Sequence, residues 1–173
     1  MKEILNKNSL KIIRNDKNEY IGQIEIYEKK IDIRRLFHFD KLHILKDLNP
    51  DIIENIKITS ICDESATIFI LYKHFFKDLG FSQYGIFIDV VRVEKDNIVE
   101  FTASNSKKIQ SDYLILPIDS FSMKICKVTD TNKFNIITKL TINVNFEISN
   151  PIEKIMAQIV QKIFTRIKQF IEN

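Results

Sequence analysis

The last forty residues carry two hydrophobic periods in succession. From Phe134 to Ile148 the apolar side chains fall on alternate positions: Phe134, Ile136, Leu140, Ile142, Val144, Phe146 and Ile148, with Thr138 the one interruption. Asn135, Lys139, Thr141, Asn143, Asn145 and Glu147 take the other face. A period of two predicts a strand with one wet side. Past Asn150-Pro151 the spacing becomes three and four: Ile152, Ile155, Met156, Ile159, Val160, Ile163, Phe164, Ile167 and Ile171. That is one wide apolar stripe on a helix. Asn150 is expected to cap this helix, Pro151 to fill its first turn, and Glu153 to act as the capping-box carboxylate. The strand as drawn would reach roughly 50 Å and the helix roughly 30 Å. A strand of that length is expected to bend, and a helix laid across a curved sheet can enclose an apolar space.

The rest of the chain reads as short elements. Ser9 to Arg14 and Glu19 to Glu28 predict a hairpin about the turn formers Asn15 to Asn18. Between Lys30 and Asn49, Ile33, Leu36 and Phe37, then Leu42, Leu45 and Leu48, predict two short helices, with Asp32 and Asp40 as caps and Pro50 ending the region. Strands follow over Ile52–Cys62, Ala66–Phe76, Ile86–Glu94, Ile98–Ala103 and Tyr113–Val128, with a polar loop holding Ser106, Lys107 and Lys108 before the last of these. The order is hairpin, two helices, antiparallel meander, long helix. Such segregation defines an α+β fold rather than a parallel doubly wound sheet. The strand Ile68 to Tyr72 is apolar on both faces, so it is either covered twice or borders a ligand or partner, and the Tyr72 hydroxyl would place one polar contact in a greasy wall.

Composition narrows the function classes. A chain of 173 residues fits one domain, residues 1–173, with 45% hydrophobic and 28% charged residues and no apolar run of the length that crosses a bilayer. Residues 1–18 lack the apolar core and small-residue cleavage site of a secretory leader, which points to a cytoplasmic protein. Cys62 and Cys126 lack zinc or redox spacing and are read as small buried hydrophobes. The net charge of +3 is dispersed, without the basic stripe that a nucleic-acid backbone requires.

Catalytic signatures are sparse. Three glycines (Gly22, Gly80, Gly85) provide no phosphate-cradling loop or dinucleotide fingerprint. His38, His43 and His74 lack ligand spacing, and no metal or other cofactor is expected; five residues apart on one helix, His38 and His43 would diverge by about 140°. Asp89, inside an apolar strand, is the acid or base candidate if it faces a cavity, where its pKa would rise; an exposed or paired charge is the alternative.

With these elements in order, the chain resembles the START lipid-transfer domain, within the helix-grip superfamily that includes the Bet v 1-like proteins. Lys46 to Ile52 is similar to the family's stretch with a Trp-Asn/Asp-Pro core, Leu48 standing for the tryptophan. Ile56 to Tyr72, with Asp63-Glu64-Ser65 as its turn, resembles the strand pair around an Asp-Glu-Asn type turn. Tyr113 to Thr138, leading to the helix at Asn150-Pro151, is similar to the last two strands and the lid helix. The chain departs from the pattern at Gln83-Tyr84, where the family has Arg-Asp, and in having no tryptophan.

The resemblance implies a non-catalytic carrier that holds one lipid or other hydrophobic small molecule between the sheet and the C-terminal helix. It implies a cavity wall and lid at Tyr72, Ile88, Leu116, Ile118, Leu140, Ile142, Ile155, Met156, Ile159 and Ile163. Transient membrane contact is expected through Lys107 and Lys108 with Lys29, Lys30, Arg34 and Arg35. The same scaffold also hosts cyclase or aromatase-type enzymes and binding modules with filled interiors.

Overall fold

The computed structural model describes residues 1–29, 31–75, 77–80, 82–107, 113–129 and 131–173. Three strands open the chain: β1 (Lys2–Lys7), β2 (Leu10–Asp16) and β3 (Glu19–Tyr27). Two short helices follow, α1 (Ile33–Leu36) and α2 (Leu42–Leu48), joined by a single 3-10 turn. Next come β4 (Ile53–Cys62), β5 (Ser65–Tyr72), β6 (Tyr84–Lys95), β7 (Ile98–Asn105), β8 (Leu114–Ile115), β9 (Ile118–Lys127), β10 (Lys133–Ile142) and the helix α3 (Asn150–Glu172). The strands form one sheet in the order β1-β2-β3-β10-β9-β7-β6-β5-β4, antiparallel throughout except for β8, which pairs in parallel with β6.

Several predicted elements are in place and several are redrawn by backbone hydrogen bonds. Asp32 caps α1, its carboxylate accepting from the Arg34 and Arg35 N–H groups. Asp40 caps nothing; it lies inside the 3-10 turn, and α2 starts after Lys41 without a side-chain cap. β1 is an edge strand that the lysine- and asparagine-rich N-terminus hides, since edges tolerate polar residues on both faces. Its hairpin turns at Asn8 and Ser9, both at positive φ (55° and 65°), as a two-residue turn matched to strand twist requires.

The terminal strand is shorter than its alternation suggests. It ends at Ile142, because the buried turn residue Asn18 captures the next backbone groups: its carbonyl accepts from Ile142 N–H (3.0 Å), and its side-chain amide donates to the carbonyls of Val144 (3.3 Å) and Phe146 (3.1 Å). Phe146 is left 64% exposed while Ile148 tucks in. The run Tyr113–Val128 is also divided: Pro117 has no N–H for the ladder, so β8 splits off to β6 and β9 starts afresh at Ile118.

Cross-strand register assigns the faces. Ile24 lies opposite Leu10 and Ile136, Ile125 opposite Ile136 and Val99, Val90 opposite Ala103 and Ala66, and Ile70 opposite Ile86 and Ile56. These residues share the inner face, which α3 covers at β1, β2 and β3 while α2 covers β4. On the outer face Phe69 packs edge-on against Phe87 and stacked on Tyr113. Within the strand Ile68–Tyr72, Ile68 and Leu71 are each 4% exposed, while Phe69, Ile70 and Tyr72 are half-buried.

Three sets of polar contacts fix α3. At its first turn Glu153, 2% exposed, accepts from the Tyr20 hydroxyl (2.9 Å) and pairs with Arg14 (3.0 Å) and Lys2 (3.4 Å). Glu153 is thus no capping-box residue; it reaches away from the helix end, whose N-cap is Ser149 with no side-chain bond. Midway, Arg166 and Lys162 grip Asp51 in the connection between α2 and β4. At the far end Lys168 donates to the Glu25 carbonyl (2.7 Å) and Glu172 accepts from Tyr27 N–H (2.9 Å).

These sites differ in burial and should differ in energy. Removing one partner of a buried ion pair leaves its charges uncompensated, so Glu153→Ala is expected to destabilise the fold by about 3 kcal/mol, and Asp51→Ala by less than about 1 kcal/mol, because that pair is solvated; urea unfolding midpoints measure both. Arg166, and then Lys162, holds the Asp51 carboxyl well below the usual carboxylate range. Its contribution is complete above about pH 4 and disappears on acidification, so Asp51→Asn should flatten the acid limb of the stability profile.

Candidate functional site

The inner face has two unlike halves. Toward the end where β3 stops and β7 starts, Ile24, Ile26, Val99, Ile125, Phe134 and Ile136 are all at most 2% exposed. Above them lie Ile33 of α1, Phe39 edge-on to Phe101, and Ile167 and Ile171 of α3. This end is solid core. At the opposite end the same face carries Ile56, Ile58, Ile70, Ile88, Phe121, Met123 and Leu140, and α3 contributes the half-buried Met156, Ile159, Val160 and Ile163. All of these are apolar and inward, yet each keeps accessible surface. Ile56, Ile58, Ile70, Ile88, Phe121, Met123, Val160 and Ile163 pack against the buried core as its partly buried margin.

The residues expected to form wall and lid differ in burial. Tyr72 and Ile88 lie on β5 and β6, and Leu140 on β10; all three are half-buried. Ile142 closes β10 opposite Ile118, and these two are packed away at 7% exposure. Leu116 is half-buried in the connection between β8 and β9, held by its N–H to the Gly85 carbonyl (2.9 Å). Met156, Ile159 and Ile163 project from one stripe of α3, whereas Ile155, 37% exposed, sits at the rim beside Ile152. Phe121, Met123, Ile56 and Ile58 lie on the same inner face, half-buried against the core, and were not singled out in the sequence. Their alternation within β9 and β4 was the signal available.

The polar groups of this half are neutral or already paired. Thr138 Oγ1 donates to the Gly22 carbonyl (3.3 Å), and a Cβ at Gly22 would sit 2.6 Å from that hydroxyl oxygen, so glycine lets β3 and β10 face each other here. The Asn105 side-chain carbonyl accepts from Ile118 N–H (3.3 Å). The Tyr20 hydroxyl is engaged by Glu153, and burial followed by that bond raises its pKa. Tyr72 lies on the same face as Ile68 and Ile70, and burial alone pushes its pKa up to about 12.

The groups weighed for chemistry lie elsewhere. Asp89 lies on the outer face, accepting from Thr67 Oγ1 (2.7 Å) in the open, so it is a paired exposed charge and not a cavity acid. His38 Nδ1 lies 2.8 Å from Asp40 on the surface, and among the described residues no three His, Cys, Asp or Glu side chains converge to hold a metal. Cys62 is exposed and Cys126 half-buried, so the expectation of two buried thiols does not hold. Among the described residues no helix is long and apolar enough to cross a membrane.

The cations assigned to membrane contact are separated. Lys107 follows β7 at the open end, while Lys29, Arg34 and Arg35 lie at the sealed end, where Arg34 donates to the Asp96 carbonyl (2.9 Å). Lys30 and Lys108 fall outside the described residues.

A curved antiparallel sheet, two short helices after the third strand and a long C-terminal helix across the inner face constitute the helix-grip fold, the architecture of START and Bet v 1-like domains. Solved structures agree. The STAR-related lipid transfer protein from Xanthomonas axonopodis superposes with a TM-score of 0.72 at 7% identity, over 99% of this chain and 98% of that one. The lipid transfer and protein localization domain of human StarD13 gives 0.69 at 7% identity, over 94% and 83%. The major latex-like protein 151 from Panax ginseng gives 0.55 at 11%, over 90% and 97%. No protein-family model matches the chain, and no curated protein matches it in sequence.

The enclosure of Tyr72 has a spectroscopic consequence. An unfolded chain releases a tyrosine proton near pH 10, whereas Tyr72 does so at about 12 in the fold. Alkaline titration at the tyrosinate absorbance is expected to show a step near pH 12 that Tyr72→Phe removes. Because the folded pKa is the higher one, this group's contribution to stability is intact below pH 10 and is lost as the pH rises through that interval.

Proposed function

We propose that the protein binds one hydrophobic molecule, a lipid, in the groove between the inner sheet face and the N-terminal half of α3, and carries it without catalysis. The observation that supports this most is the asymmetry of the inner face: one half is sealed by its own side chains, and the other presents an apolar wall that keeps accessible surface. Each CH₂ moved from water to such a wall gains about 0.8 kcal/mol. A groove several isoleucines long therefore offers a fatty chain surroundings comparable to a bilayer. The likeness to lipid-transfer domains from human and Xanthomonas axonopodis proteins supports the same reading.

The rim fits transient contact with a membrane. Phe146, Ile152 and Ile155 are 64%, 48% and 37% exposed where the chain enters α3, with Lys2 and Lys154 beside them. Exposed apolar side chains ringed by lysines suit an interface between headgroups and acyl chains. Lys107 lies at the same open end, and the cations of the sealed end are left to other roles. The reading assigns the protein to the cytoplasm as a single unit over residues 1–173.

A second reading, a binding module whose interior is filled by its own side chains, draws on the sealed half. It also draws on where the pockets lie: one of about 170 Å³ between β1 and α3, lined by Lys2, Glu3, Ile4, Asn150, Glu153 and Lys154, and one of about 440 Å³ along α3 at Gln158, Gln161, Lys162, Thr165, Arg166 and Gln169, neither lined by the inner face of β4 to β9. Mass spectrometry of organic extracts of the purified protein, with uptake from liposomes, separates the two. A carrier yields a stoichiometric lipid and takes up more, and a filled module yields neither. Ile159→Trp, which fills the groove from the lid side, is expected to reduce uptake at least about tenfold while leaving the unfolding midpoint close to that of the parent. Phe146→Asp should slow transfer from liposomes more than it weakens binding of lipid delivered in detergent.

A further inference from the structure

The apolar side chains left exposed at one end of the sheet fall into two groups. The first is the rim where the chain enters α3, with Phe146, Ile152 and Ile155. The second lies at the start of β6 and beside β8, where Tyr84, Tyr113 and Leu114 are 39%, 41% and 50% exposed. Backbone hydrogen bonds tie the two groups together. Leu114 pairs with Tyr84, and its N–H donates to the Gln83 carbonyl (3.2 Å). Leu116 N–H donates to the Gly85 carbonyl (2.9 Å), and the next carbonyl, that of Pro117, accepts from Asn143 N–H (2.7 Å) just past the end of β10. Three residues further on, the Asn18 amide holds the Phe146 carbonyl (3.1 Å). Because β10, β9, β7 and β6 are successive neighbours, the groups stand about three strand spacings apart, roughly 15 Å. They mark out a broad face, not a pocket.

The second group is backed by packing. Tyr113 stacks on Phe69, ring centres 6.1 Å apart, and Phe69 meets Phe87 edge-on. A Cβ at Gly85 would lie 2.8 Å from the Phe69 ring, so glycine is what lets that ring rest against β6. Tyrosine joins an apolar ring to a polar tip, the composition that settles between headgroups and acyl chains. Exposed lysines flank both groups: Lys2 and Lys154 by the first, and Lys73 after β5 and Lys107 after β7 by the second. Among the described residues no ion pair holds Lys73, Lys107 or Lys154. A protein partner gathers its binding energy in one packed central patch. A fluid bilayer takes up separated apolar anchors together, and an anionic one suits the lysines beside each.

We infer that the protein stands end-on upon an anionic bilayer through two apolar contact points, Phe146 with Ile152 and Ile155 at one and Tyr84 with Tyr113 and Leu114 at the other. This rests on the membrane contact proposed above and adds to it a second contact site and an orientation.

The chain has no tryptophan, so single substitutions report on one place each. Tyr84→Trp, Leu114→Trp, Phe146→Trp and, at the opposite end, Tyr27→Trp are mixed with vesicles of equimolar phosphatidylcholine and phosphatidylserine that carry brominated acyl chains. The probes at positions 84, 114 and 146 are expected to shift to the blue and to be quenched by the bromines, and the probe at position 27 to do neither. Leu114→Asp, at an exposed position, should weaken vesicle binding about tenfold while its unfolding midpoint stays close to that of the parent. Quenching at 146 without quenching at 84 and 114 overturns the two-point placement and leaves the contact at the α3 rim standing. Vesicle binding unmoved by Leu114→Asp does the same. Equal quenching at position 27 overturns the orientation. A blue shift at 84 and 114 that follows protein concentration without vesicles gives the second site to another copy of the chain, and overturns the assignment. If no position responds, the membrane contact proposed above fails as well, whereas the carrier reading is decided separately by extracted lipid.

Discussion

Everything in this molecule depends on one apolar stripe finding a surface wide enough to bury it. A curved antiparallel sheet whose strands point isoleucine, leucine and phenylalanine inward cannot leave that face in water, and α3 cannot leave its own stripe there either. Each is the other's solvent. The match is specific because three polar clamps along α3 decide where on the sheet it rests. Glu153 is buried against β1, β2 and β3, Asp51 is held from the opposite side, and Lys168 and Glu172 bind the end of β3.

That placement leaves the two halves of the interior unequal. The C-terminal half of α3 lies over large residues that interdigitate to full burial, helped by α1 and Phe39 from above. The N-terminal half lies by β1, β2 and β3, while α2 packs Leu42, Leu45 and Leu48 toward the core and touches both β4 and α3. The same helix is thus core at one end and cover at the other. Its clamps are arranged accordingly: the buried one, Glu153, stands at the end where the inner-face residues are only half-buried.

Much of this was legible in the chain. The change from period two to period three and four at Asn150-Pro151 reports strand-then-helix because both periods are set by backbone geometry alone. The turn residues about Asn18 and Asp96 mark hairpins because those positions adopt positive φ, which asparagine and aspartate tolerate. Less legible was where elements stop. The alternation of residues 143–148 is as regular as that before it, yet the strand ends at Ile142, because Asn18, over a hundred residues earlier, takes the backbone groups that a neighbouring strand would have used. Glu153 misled in the same way: its position suits a capping box, and a pair of cations from β1 and β2 drew it elsewhere.

The sequence by itself determined the order and type of the elements, the inward face of each strand and the wide stripe of α3, because these follow from local periodicity and turn chemistry. Only the tertiary structure decided which inward residues are sealed and which stay half-buried, because burial depends on what lies across from each one. Ile136 and Leu140 belong to one strand and one face; the first has core packed over it and the second retains accessible surface.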